Sequence, residues 1–176
     1  MASIRDFISN FNGGTRRNRF RVTANWPSAM SGDGYNTTYH VTSASMPPSY
    51  LGNVTIPYRG REANYAGDRI YEPWDLIIID DNRGNVLWES FHAWHKIINE
   101  HMTNTHSFNN DSFVNAKTNW TVEHLGLDGN TLKTITMVGC WPMQVSPIQF
   151  NMAQNVYNSF GARISYDYFR IADTSQ

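Results

Sequence analysis

The sequence predicts a mainly β protein: two packed antiparallel sheets of roughly six to eight strands, flanked by one α-helix, with a long protruding arm. Three observations carry this expectation. Short segments alternate apolar and polar residues, as in Arg19 to Trp26 and Ala162 to Tyr168. Clusters of Gly, Pro, Asn, Asp and Ser punctuate those segments. One stretch alone carries a strong helical stripe, with Leu87, Phe91, Trp94 and Ile98 at 3.6-residue spacing.

Taken in order, Ile4, Phe7, Ile8 and Phe11 repeat as a short amphipathic helix does, and Asn12-Gly13-Gly14 ends it. This forms an N-terminal segment over residues 1–15. From Arg19 to Trp26, Phe20, Val22, Ala24 and Trp26 share a face that suits a core. Pro27 to Asn36 is a hairpin loop, and Thr37 to Ser43 the return strand, with Tyr39 and Val41 on one side. A long irregular arm follows over 46–68, with Pro47-Pro48, Pro57 and glycines at 52, 60 and 67. Val54-Thr55-Ile56 and Glu62 to Ala66 are candidate short strands within it. Ile70 to Asp80 is a strand whose centre, Leu76-Ile77-Ile78-Ile79, is apolar on both faces and so calls for cover on each. The helix over 85–100 supplies one cover, with Asn85 as its N-cap. Residues 102–115 are polar and loop-like. Lys117 to Leu125 and Leu132 to Val138 form a hairpin around Asp128-Gly129, and Gly139-Cys140-Trp141-Pro142 ends the second strand. Val156 to Phe169 is the last strand, with Ala162, Ile164, Tyr166 and Tyr168 on one face. No repeat is visible, and 1–176 is expected to be a single domain.

Composition narrows the function. Hydrophobic residues make up 40% of the 176, aromatics 14% and charged residues only 16%, against roughly 25% charged in ordinary globular chains. A weakly charged surface lacks the repulsion that keeps monomers apart, which suits a chain that buries its surface in an assembly. The net charge of −1 gives no global pull toward nucleic acid. The single cysteine, Cys140, excludes an intrachain disulfide framework. The N-terminus lacks a basic region followed by an apolar one, and the longest apolar run is Leu76 to Ile79. Neither a secretory signal nor a membrane anchor is expected, which places synthesis in a cytoplasm.

Signals of other chemistry are weaker than their structural readings. His92 and His95 lie three apart on the helix, but no His-Glu-x-x-His pattern or supporting carboxylate accompanies them, so no metal is expected. Alternation puts Arg19 and Arg21 on one strand face, which fits a solvated or intersubunit face better than a nucleic-acid site. Asp80-Asp81, and Glu62 with Asp68, are pairs in sequence, which are not pairs in space, and adjacent strand residues point to opposite faces. Cys140 has no base nearby in sequence. There is no phosphate loop or nucleophile elbow. No cofactor and no enzymatic activity are expected.

Several short motifs recur in an informative order: Ala44-Ser45-Met46-Pro47, then Ile56-Pro57, then Ala66-Gly67-Asp68-Arg69. Trp74 and a strand ending in Asp80-Asp81 come next, followed by a helix with Phe91, Trp94 and Asn99. Gly139-Cys140-Trp141-Pro142 and the segment Val156 to Tyr168 close the series. In this order the chain, over roughly 16–169, resembles the tail tube proteins of contractile-tailed bacteriophages (myoviruses), relatives of type VI secretion ring proteins. The first hairpin, Pro27 to Tyr35, and the loop His101 to Asn115 are longer than that pattern. The motif residues are Gly67, Asp68, Arg69, Trp74, Gly139, Trp141 and Pro142.

The resemblance implies a structural subunit of the virion tail. Six copies close a ring, and rings stack into a hollow conduit for genome delivery. Implied partners are the chain itself, a tail sheath protein, a tape-measure protein, a baseplate tube-initiator, a tail terminator, and double-stranded DNA in transient non-specific passage. Assembly would take place in the host cytoplasm. On the arm, Tyr58, Arg59, Arg61 and Tyr65 are the candidates for contacts between rings. A conduit should not grip phosphates, so a neutral or acidic lumen is expected, with Asp80, Asp81 and Asp167 as candidate lining. Two rivals remain. The fold could serve as a baseplate tube-initiator or a type VI secretion ring, or an aromatic-rich sandwich could bind carbohydrate.

Overall fold

The computed structural model describes residues 3–11, 14–28, 30, 38, 40–80, 86–107 and 113–173. Its elements in chain order are α1 (Ile4–Phe11), β1 (Phe20–Thr23), β2 (Val41–Ala44), β3 (Ser49–Tyr58), β4 (Arg61–Tyr71), β5 (Trp74–Ile79), α2 (Val86–Ile98), a 3-10 turn (Phe113–Ala116), β6 (Thr118–Leu125), β7 (Thr131–Val145), β8 (Ser159–Ser165) and β9 (Tyr168–Asp173).

Seven strands join in the order β1-β6-β7-β8-β5-β2, with β9 also on β7, and all pairings are antiparallel. The long strand β7 belongs to two sheets. Its first part pairs with β6 and β9, while Trp141 to Val145 pairs with β8. The bend between them is at Gly139, whose φ of 73° is left-handed. A Cβ there would overlap the Asp167 carboxylate, which Lys117 holds at 2.7 and 3.0 Å. The Gly-Cys-Trp-Pro segment was expected to end the strand. It bends the strand instead, because β8 continues to pair with the chain past the glycine.

The two sheets face each other across a core of Trp74, Leu76 and Ile78 from β5, Trp120 and Val122 from β6, Ile135 and Met137 from β7, and Phe160, Ala162 and Ile164 from β8. Leu87, Phe91 and Trp94 of α2 enter the same core, as their spacing predicts. Buried indoles keep their N–H groups satisfied. Trp74 donates to the Ser45 carbonyl (2.6 Å), Trp94 to that of Ala116 (2.7 Å) and Trp120 to that of Asn25 (2.9 Å). Trp26 packs on Phe91 and Trp94.

Four further expectations are corrected. Pro73 separates Ile70 and Tyr71, which finish the arm, from β5, so 70–80 is not one strand. On β5 the alternate residues Trp74, Leu76 and Ile78 are buried, whereas Ile77 is 47% exposed, so the subunit covers one face and not both. The final strand breaks at Tyr166-Asp167, where it crosses from the second sheet to the first, and Phe169 rather than Tyr168 packs on Tyr71 and Tyr166. The arm is not irregular: β3 and β4 form one long ribbon. The expected N-cap Asn85, most of the loop 27–36, and Tyr39 lie outside the described residues.

Candidate functional site

The arm is a two-stranded ribbon that, among the described residues, pairs with no other strand. Its register sorts its side chains onto two unlike faces. One face carries the cross-strand pairs Tyr50–Ile70, Val54–Tyr65 and Ile56–Ala63, and Tyr58 opposite Arg61 at the tip. The other carries Asn53, Thr55 and Asn64, in which the side-chain Oδ1 of Asn64 accepts from both Asn53 Nδ2 and Thr55 Oγ1 at 3.0 Å. The large residues of the first face are 50–65% exposed. An apolar stripe of this kind on an isolated ribbon marks a surface awaiting a partner.

Tyr58, Arg59 and Arg61 lie together at this tip, and the fourth candidate, Tyr65, sits further down the ribbon opposite Val54. Arg59 and Gly60 both have positive φ (48° and 78°), which makes the two-residue turn of a tight hairpin. The Arg59 guanidinium lies 5.3 Å from the Tyr58 ring centroid. Arg61 and Tyr65 share the apolar face with Tyr58. Gly67 and Asp68 form a bulge opposite Gly52, where the ribbon twists. A Cβ on Gly67 would come within 3.2 Å of the Gly52 backbone, so only glycine lets the strands approach there. Arg69 pairs with Leu51 just beyond.

The other motif residues are internal. Trp74 is fully buried and meets Trp120 edge-on. Pro142 is buried, and its carbonyl accepts from His95 Nε2 at 3.0 Å. Burial of His95 holds its pKa below the ordinary imidazole value, with a smaller contribution from His92. Trp141 stacks edge-on with Phe113.

The acidic candidates for a lumen face separate. Asp80 is only 7% exposed, and its carboxylate accepts from the backbone N–H groups of Leu87 (3.3 Å) and Trp88 (3.4 Å). It caps α2, so it is no lining residue. A carboxylate at a helix N-terminus satisfies orphan donors and complements the helix dipole. Asp167 is occupied by Lys117, and Asp81 lies outside the described residues.

Two apolar surfaces went unmarked or unplaced in the sequence. All of α1 is exposed. Residues 146–158 expose Phe150, Met152, Val156 and Tyr157. The last strand, expected to open at Val156, begins only at Ser159, so Val156 and Tyr157 belong to this exposed segment, and Phe150 and Met152 sit among asparagines and glutamines with no strand or helix period. Nothing among the described residues gathers three or more His, Cys, Asp or Glu in a metal-binding cluster. Burial pushes the Cys140 thiol up to about 12, away from nucleophilic reactivity. No helix among the described residues is long and apolar enough to cross a membrane.

A family model for phage tail tube proteins matches residues 15–172. The chain belongs to the phage tail tube protein family. Its curated relatives include the tail tube protein of Serratia phage KSP90, 28% identical over 172 residues, with 94% of this chain and 95% of that one aligned. The tail tube protein of Enterobacteria phage T4 is 22% identical, over 77% of this chain and 82% of the other. Solved structures share the fold. A chain of the six-fold symmetrised anti-feeding prophage baseplate superposes with a TM-score of 0.66, 11% identity, and 93% and 98% of the two chains covered. A chain of the sheath–tube complex of the PVC extracellular contractile injection system, in its extended state, gives 0.62, 12% identity, and 99% and 100% coverage. The tail tube motifs thus map onto a bulge in the arm, two core anchors and the bend of β7, and the protein is a structural subunit of a tail tube.

Proposed function

We propose that six copies of this chain close into a ring, that rings stack into the hollow tube of a contractile tail, and that the subunit works by assembly without catalysis. The observation that carries this is the two-faced arm: an apolar ribbon face the subunit itself leaves open, in a chain of the tail tube family. Tyr58, Arg61 and Tyr65 on that face, with Arg59 at the turn, contact the next ring. Strands β1, β9 and β2 end their sheets, and pairing such edges between copies removes an aggregation hazard. The names of the similar structures, a sheath–tube complex and a baseplate, support sheath and baseplate partners for this chain. A tape-measure protein and a terminator complete the tail, which assembles in the host cytoplasm.

The bore follows from the two outer sheet faces. Thr23, Thr121, Thr134 and Thr136 share the outer face of the β1-β6-β7-β9 sheet, where Arg21 is paired with Glu123 at 3.4 Å. Arg170 of β9 stands opposite Thr136 on the same face, so the wall is hydroxyl-rich with one further cation, too sparse in positive charge to hold a phosphate backbone in place. The opposite sheet presents Ile77 beside an apolar groove and suits protein contact. A map of the assembled tube tests this. Thr121 and Thr136 are expected toward the bore, and a bore lined by Ile77 and Arg163 would refute the assignment.

A further inference from the structure

We propose that α1 of one subunit docks into the groove beside Ile77 of a second copy of the chain and latches neighbouring subunits together. The inference rests on the tube-subunit reading and goes beyond the arm. The helix is preformed: Ser3 Oγ accepts from the Arg5 N–H (3.3 Å), and Asp6 Oδ2 accepts from the Ser3 N–H (3.0 Å), a reciprocal cap. Phe7 and Phe11 stack at 5.2 Å. Ile4, Phe7, Ile8 and Phe11 are nevertheless 55–74% exposed, and no residue of α1 is buried. Helices this short are marginal in water without a partner surface.

The groove is the complementary feature. It encloses about 860 Å³ and is lined by Ile77, Pro147, Phe150, Met152, Val156 and Tyr157, among others. None of its lining residues carries an Asp, Glu, Lys or Arg side chain. The stripe of α1 is likewise uncharged, with Arg5, Asp6, Ser9 and Asn10 kept off it. Backbone bonds brace the groove at its ends, from Ser146 to the Gly161 carbonyl (2.8 Å) and from Asp80 to that of Asn158 (3.2 Å). The folded subunit thus holds a finished helix and a finished groove and leaves both empty of each other. A second copy fills both at once, in a closed head-to-tail set. Residues 12–19 tether the helix to β1 with a reach of up to about 30 Å, enough to cross to a neighbour. The family model begins at residue 15, so the latch would supplement the tube contacts of the matched segment.

Site-directed cross-linking of the full chain tests the latch. Ile8→Cys is combined in turn with Phe150→Cys, Met152→Cys or Val156→Cys, and assembled material is oxidised. Cys140 stays in place, since its thiol is buried and inert. Non-reducing electrophoresis is expected to show a ladder of dimers and higher multimers that neither single variant gives. Assembled rings without a ladder overturn the latch alone, and so does a monomer cross-linked to itself. The pair Phe7→Ala with Phe11→Ala gives a second readout. Melting of the isolated subunit should not change, while the concentration needed for assembly rises about tenfold or more. Unchanged assembly overturns the proposal. If the unmodified chain forms neither rings nor tubes, the tube-subunit reading itself fails and takes the latch with it.

Discussion

Gly139→Ala probes the bend that joins the two sheets. The residue sits at φ 73°, where an L side chain costs about 1–2 kcal/mol. The new Cβ also overlaps the Asp167 carboxylate and drives it from Lys117. That partly exposed pair contributes about 0.2–1 kcal/mol. The sum is about 1–3 kcal/mol, which for a chain of this size lowers the melting temperature by about 2–12 °C. Urea unfolding at one fixed subunit concentration measures it, because assembly makes apparent stability concentration-dependent. An Asp167→Ala background removes the overlap but leaves the backbone strain, so Gly139→Ala should there cost only about 1–2 kcal/mol. A cost below about 1 kcal/mol in the native background, or an equal cost in both, would refute the reasoning. The bend also sets where β9 lies as a free edge, so the variant should assemble poorly even where it folds.

Other perturbations separate folding from assembly. Asp80→Ala removes the acceptor at the start of α2 and should cost about 1–2 kcal/mol in the urea midpoint. A loss of assembly with no loss of stability would instead favour a surface role for Asp80. His95 gives a pH dependence. Burial depresses its pKa below 6.5, so the unfolded chain takes up the proton first as pH falls. Stability should therefore decline as pH drops through about 6.5 and level off once the lower folded value is passed. His95→Asn should flatten that slope between about pH 7.5 and 5.5, and an unchanged slope would assign it to another group. On the arm, Ile56→Asn with Tyr58→Ser should leave subunit melting within about 0.5 kcal/mol of the parent, as for exposed positions, while abolishing tube growth seen by light scattering.

What was legible in the sequence divides along physical lines. The stripe of α2 could be found because Leu87, Phe91 and Trp94 face the subunit's own core, and burial imposes the 3.6-residue period. The hairpin at Asp128-Gly129 could be found because its turn chemistry is local. The arm was seen as a protrusion but not as a ribbon. Both its faces are outside the subunit, so its alternation encodes contacts that the chain does not make with itself. At Gly139 the sequence leaves the outcome open: a left-handed glycine can end a strand or bend it, and the choice lies with β8, distant in sequence. Asp80 suits a lumen lining in the sequence because an acidic wall repels phosphates. Its role as a cap depends on α2 returning over it, which depends on tertiary packing.

In the proposed assembly the subunit closes into six-fold rings that stack through their arms. Electron microscopy of the purified chain, with and without a baseplate or tube fragment as nucleus, tests it most directly. Hollow six-fold rings or tubes are expected, in which the arm tips, Tyr58 to Arg61, bridge successive rings. A chain that stays monomeric even on a supplied nucleus, or rings whose arms lie away from the stacking interface, would contradict it.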